Sequence, residues 1–149
     1  MGLRCSCGVR SNPTAASPSI TLDFEDGGLR DGPITLTVDV CADSLELSTL
    51  SITFVDASCM LPNRSFSFTS TSITNVRCSD FNGACEVRIQ GMGLVTGELT
   101  PRPFLVLLIN RQLPLSDSLQ VLIINGFLTN ITNADLTPDL TFFGCPSTP

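Results

Sequence analysis

The sequence predicts an all-β domain: an antiparallel, jelly-roll-like β-sandwich of about eight short strands behind a flexible N-terminal arm. Three observations carry that expectation. Apolar and polar residues alternate with a period of two through several short segments. Turn-forming Gly, Pro, Asn and Asp punctuate those segments at intervals of about eight to sixteen residues. No segment of the 149 residues carries the 3.6-residue period of an amphipathic helix.

Residues 1–19 read as an arm. They contain Pro13 and Pro18, several small polar residues and no strand or helix period. Extended, such a stretch reaches on the order of 60 Å, more than the diameter of the domain behind it. Residues 20–149 are expected to form that domain. Residues 20–25 alternate and lead into an Asp26-Gly27-Gly28 turn. Residues 34–41 give the cleanest strand, with Ile34, Leu36, Val38 and Val40 facing one way and Thr35, Thr37 and Asp39 the other. Residues 50–56 repeat the pattern through Leu50, Ile52 and Phe54. Residues 65–74 are rich in hydroxyls and anchored by Phe66, Phe68 and Ile73. Residues 78–85 read as a hairpin loop with Asn82-Gly83 at its tip. Residues 86–90 alternate again, and Gly91-Met92-Gly93 marks a bulge or a close backbone approach.

Residues 104–109 and 119–124 are apolar on both faces and too short, between prolines, to be helices. Each reads as a strand covered on both sides, whereas a two-layer sandwich leaves its outer faces in water. Either the chain's own loops supply the cover, or Leu105, Leu107 and Ile109, or Leu122 and Ile124, meet a neighbouring subunit. Residues 141–143 add one more short strand.

Composition excludes several chemistries. The chain has no His, Lys, Trp or Tyr, so its eight cations are all Arg, against fourteen acids, for a net charge of −6. Without His there is no Ser-His-Asp or Cys-His nucleophile and no His-ligated zinc. Without Lys there is no Schiff base and no phosphate-loop lysine. The negative charge disfavours nucleic acid and anionic lipid. No run of eighteen apolar residues suggests membrane insertion, and no signal peptide is recognisable. No cofactor or metal site is expected; Asp23, Glu25, Asp26 and Asp31 surround a turn with no calcium-loop spacing. No paired carboxylates or activated Ser point to an enzyme.

Seven cysteines without a C-x-x-C spacing point to an oxidised framework, with at least one sulfur left over for a partner chain or free. Spacing suggests local bridges Cys78–Cys85 and Cys41–Cys59, worth about 2.5 and 3 kcal/mol. Cys5, Cys7 and Cys145 then remain near the chain ends as candidates for inter-subunit bonds. The alternative is that one of the arm cysteines pairs with Cys145 in the same chain.

A Cys5-Ser6-Cys7 arm before an all-β body, without a signal peptide, resembles the cysteine-rich spore-surface proteins of Firmicutes, and among them the endospore-appendage subunits. That resemblance implies a jelly-roll body whose N-terminal connector is disulfide-bonded to adjacent subunits, with Cys5 and Cys7 as connector cysteines and Cys41, Cys59 and Cys145 as possible acceptors. The connector of that family usually has adjacent cysteines; here Ser6 separates them.

The expectation is therefore a structural subunit that assembles with other copies of itself into an extracellular or spore-surface filament. Arm disulfides, or addition of the arm as a strand to a neighbour's sheet, would hold it together. What the filament binds is unknown. A monomeric adhesin or carbohydrate-binding module is the alternative, weakened by the absence of Trp and Tyr platforms. A viral capsid or tail component is a further alternative.

Overall fold

The computed structural model describes residues 5–26, 28–81, 84–111 and 116–144. Within them the chain forms β1 (Gly8–Arg10), β2 (Ala15–Phe24), β3 (Gly28–Cys41), β4 (Thr49–Phe54), β5 (Phe66–Phe81), β6 (Ala84–Val95), β7 (Arg102–Asn110), β8 (Ser118–Ile124), β9 (Leu128–Asp135) and β10 (Thr141–Phe143). A single 3-10 turn, Leu45–Leu47, interrupts the β3–β4 connection.

The all-β class and the antiparallel pairing stand as expected, but the architecture is a closed barrel and not a jelly-roll sandwich. From β2 to β9 each strand pairs with the next in sequence, and β9 returns to β2, which closes eight strands into an up-and-down meander. The closing seam is sparse. β2 and β9 are paired at Phe24↔Leu128, and an isolated bridge joins Ala16 to Thr137 beyond the end of β9.

The two terminal strands lengthen the barrel at one end. β1 continues the line of β2 along β3, with Gly8↔Cys41, Val9↔Val40 and Arg10↔Asp39, and β10 lies on its other edge. Residues 5–19 are thus no free arm: the boundary expected after residue 19 falls inside β2. Pro13, Pro18 and small residues conceal the strand period there, because Val9, Ala15 and Ser17 are its buried positions.

The interior is filled by the alternate residues that period two selects. Ile34, Leu36, Val38 and Val40 of β3 and Leu50, Ile52 and Phe54 of β4 are buried, while Thr35, Thr37 and Asp39 point to solvent. An apolar lumen with hydroxyls and carboxylates outside is the reverse of a membrane-spanning barrel. Phe24, Phe54, Phe66 and Phe127 stack with centroids 5.1–6.0 Å apart and plug the end that holds the β2–β3, β4–β5, β6–β7 and β8–β9 connections. Gly91 and Gly93 bear out the expected close approach: a Cβ on Gly93 would overlap the Phe68 ring, and one on Gly91 the Ser72 carbonyl. Opposite them β5 is bulged between Ser70 and Ser72 and between Ile73 and Asn75.

Polar clamps tie the loops of this plugged end to the barrel. Arg102 makes a bidentate pair with Glu98 (2.7 and 2.8 Å), donates to the Asn125 carbonyl (2.9 Å) and lies over the Phe127 ring. The buried Asp56 carboxylate accepts from the Ser58 N–H and hydroxyl and from the Arg64 N–H, and lies 3.4 Å from the Arg30 guanidinium. Those hydrogen bonds, the Ser58 hydroxyl first, hold its pKa below the ordinary Asp value.

Candidate functional site

The end opposite the phenylalanine plug is a clasp made by the N-terminal segment. Cys5 is disulfide-bonded to Cys41 at the end of β3, with Cα atoms 5.7 Å apart, and Cys7 to Cys78 in β5, with Cα atoms 5.8 Å apart. Between them Ser6 donates its N–H (2.8 Å) and its hydroxyl (2.9 Å) to the Asp43 carboxylate. That pair of bonds lowers the pKa of Asp43. The Ala42 N–H donates back to the Cys7 carbonyl at 2.8 Å. Further along, Arg10 pairs with Asp39, and the Asn12 amide donates to the Asp139 carbonyl and the Thr141 hydroxyl.

Two glycines set how closely the segment lies. A Cβ on Gly8 would strike the Val40 carbonyl, and one on Gly144 the Ser6 carbonyl. Gly144 also has φ +81°, which L side chains rarely adopt. Ser11 then turns the chain into β2: its hydroxyl donates to the Pro13 carbonyl (2.5 Å) and accepts from the Val38 N–H (3.0 Å).

The expected disulfide pairings are corrected. Cys78 lies opposite Val87 and Cys85 opposite Asp80, because β5 and β6 continue to Phe81 and Ala84, so Cys78 and Cys85 do not face each other. Cys41 sits at the clasp, whereas Cys59 lies in the β4–β5 loop at the plugged end, so those two cannot bond either. Cys5 and Cys7, expected to reach other subunits, are bonded within the chain. Cys85 is disulfide-bonded as well, and Cys145 lies outside the described residues. The free, exposed thiol is Cys59.

The expected interface residues divide by face. Leu105 and Leu107 lie half-buried on the outer wall of β7. Ile109 is almost wholly buried by its own chain. Leu122 and Ile124 point into the core and are fully covered; a bulge between Leu119 and Val121 places Val121 and Ile123 on the outer wall instead. Among the acids of the first turn, Asp26 pairs with Arg64 (3.1 Å) and Asp31 accepts the Thr21 hydroxyl. Sequence reasoning did not single out Asp43, which has no neighbouring signal, nor Val121 and Ile123, whose phase a two-sided apolar run does not reveal.

No group of three or more His, Cys, Asp or Glu able to hold a metal occurs among the described residues, and no described helix is long and apolar enough to cross a membrane. No family model matches the chain, and neither a curated protein nor a solved structure matches it.

Proposed function

We propose that this chain is a structural subunit that self-assembles by exchanging its N-terminal segment between copies. One observation carries the reading: residues 5–10, which include the short strand β1, form a separate segment that joins the barrel through two disulfides, short strand ladders and the Ser6–Asp43 contact, linked to β2 by residues 11–14. Every one of those contacts can be made equally well by the same segment of a second copy. In an exchanged assembly Cys41 and Cys78 are the acceptors for a neighbour's Cys5 and Cys7, and the groove between β3 and β10 receives its β1 as an added strand. Such a fibre joins covalent bonds to strand addition, and its disulfides suit an oxidising setting such as an extracellular or spore surface.

The test uses a mixture of unlabelled and nitrogen-15-labelled full-length chain, reduced, combined and reoxidised at high concentration. Digestion without reduction then releases the N-terminal peptide, which carries both Cys5 and Cys7, paired through its disulfides with the acceptor peptides of Cys41 and Cys78. Exchange predicts pairs with one light and one heavy partner at close to the statistical half. Pairs that are only light–light or heavy–heavy overturn it.

A further inference from the structure

The outer wall of the barrel carries two unlike faces on opposite sides. On β5 and β6, Arg77 lies directly across from Arg88, both exposed. Like charges in that position repel. Each of the other arginines among the described residues is in an ion pair with an acid; these two are in none of the ion pairs found. The register carries their row onward: Arg88 is opposite Leu107, and Leu107 is opposite Val121. The adjacent row places Leu105 opposite Ile123. Two unneutralised guanidinium groups therefore border four half-buried aliphatic side chains on one continuous strip. A depression at the arginines is lined also by Ser79 and by Glu86, whose carboxylate accepts the Ser79 hydroxyl.

The hairpin of β2 and β3 presents the complement. Asp23 and Asp31 are exposed on its outer wall, in the rows Asp23↔Leu29 and Thr21↔Asp31. Leu29 is 59% exposed there, and Val55, hydrogen-bonded to the Pro33 carbonyl four residues further along β3, is 51% exposed. In the ring order β2-β3-β4-β5-β6-β7-β8-β9 this hairpin lies half a turn from the arginine-bearing strip. In a chain of net charge −6, a pair of uncompensated arginines is matched by carboxylates and not by more cations.

The geometry points to a second copy of this chain as the occupant of the Arg77/Arg88 strip, seated by the acidic β2–β3 wall. Carboxylates of Asp23 and Asp31 would meet the two guanidinium groups, and Leu29 and Val55 would cover the aliphatic strip. Because the two patches differ and lie on opposite sides, the contact is head-to-tail. Repetition then gives an open array instead of a closed dimer. This inference rests on the self-assembly proposed above but uses neither the clasp nor its disulfides, so the two can fail separately.

The test is a charge swap on full-length protein. One variant carries Arg77→Glu and Arg88→Glu, the other Asp23→Arg and Asp31→Arg. All four sites are exposed, and circular dichroism and thermal melting of each variant check that it is folded. Each variant alone is expected to fall back in sedimentation velocity to the species that segment exchange alone sustains, smaller than those of the wild type. Mixed one to one, they are expected to reassemble into arrays in which the variants alternate, through the native contact on one side of each molecule and the charge-reversed contact on the other, with more than tenfold tighter association than either shows with itself. Wild type that assembles while both variants assemble equally well overturns the two faces and leaves segment exchange standing. Variants that do not rescue each other overturn the pairing of these particular walls. Wild type that stays monomeric at all concentrations overturns both proposals.

Discussion

Replacing Cys7 and Cys78 together by alanine removes the bolt that ties the N-terminal segment across to β5. The two residues are 71 apart in sequence. Closing a loop of that length removes unfolded-chain entropy worth about 4.4 kcal/mol at 25 °C, against about 3.8 kcal/mol for Cys5–Cys41 with its separation of 36. The two loops overlap over most of the shorter one, so the second bridge constrains an unfolded chain that is already shortened. The expected loss is therefore about 2–4 kcal/mol, a large share of the total stability of a domain this size. Urea unfolding of the monomeric fraction, followed by far-ultraviolet circular dichroism and extrapolated linearly to water, measures it. The control is Cys59→Ala, whose free and exposed thiol predicts a change within about 0.5 kcal/mol. A double substitution costing less than about 1 kcal/mol, or a costly Cys59→Ala, would refute the disulfide assignment.

Three further outcomes follow from the same geometry. Burial raises the pKa of Asp117 to about 6, with Asp139 adding repulsion and the Leu140 N–H and Arg111 opposing it. A folded value above the ordinary 3.8 stabilises the fold only while the carboxyl is protonated: the contribution is full below about pH 3.8 and is lost as pH rises through 6. Thermal melts should therefore show Asp117→Asn more stable than wild type by up to about 3 kcal/mol at pH 7.5, and equal to it near pH 3.5. Leu122→Ala should cost about 2–5 kcal/mol in urea unfolding because its side chain is fully buried, and Ile123→Ala less than about 1.5 because it faces outward; the reverse order would place β8 in the opposite phase. Gly8→Val should prevent oxidation of the Cys5–Cys41 bridge, since its side chain would overlap the Val40 carbonyl, and peptide mapping would find Cys5 alkylated.

Much of the wall is legible in the sequence. In β3 and β4, where one face is aliphatic and the other Thr and Asp, period two identified the strands and the inward residues together. The same alternation serves a sandwich and a barrel alike, so closure could not be read from it. What decides closure is β9, and its Leu128-Thr129-Asn130 start interrupts the apolar period with a buried Asn. β1 escaped notice for a related reason: three residues flanked by prolines and cysteines offer a single apolar position, Val9, to the core. In β8 both faces are apolar, so composition identified a strand covered on two sides but not which residues lay inside. The cysteines show the same limit in another form. Chain distance suggested local bridges, whereas the barrel brings Cys7 beside Cys78 and Cys5 beside Cys41 through contacts that only the closed sheet creates.

Sedimentation velocity of the full-length chain, oxidised, over a hundredfold range of concentration tests self-assembly most directly. The account predicts a distribution that shifts with concentration to species many times the 15.9 kDa of one chain, and shortens when the disulfides are reduced. A single species of one chain's mass at every concentration would contradict it.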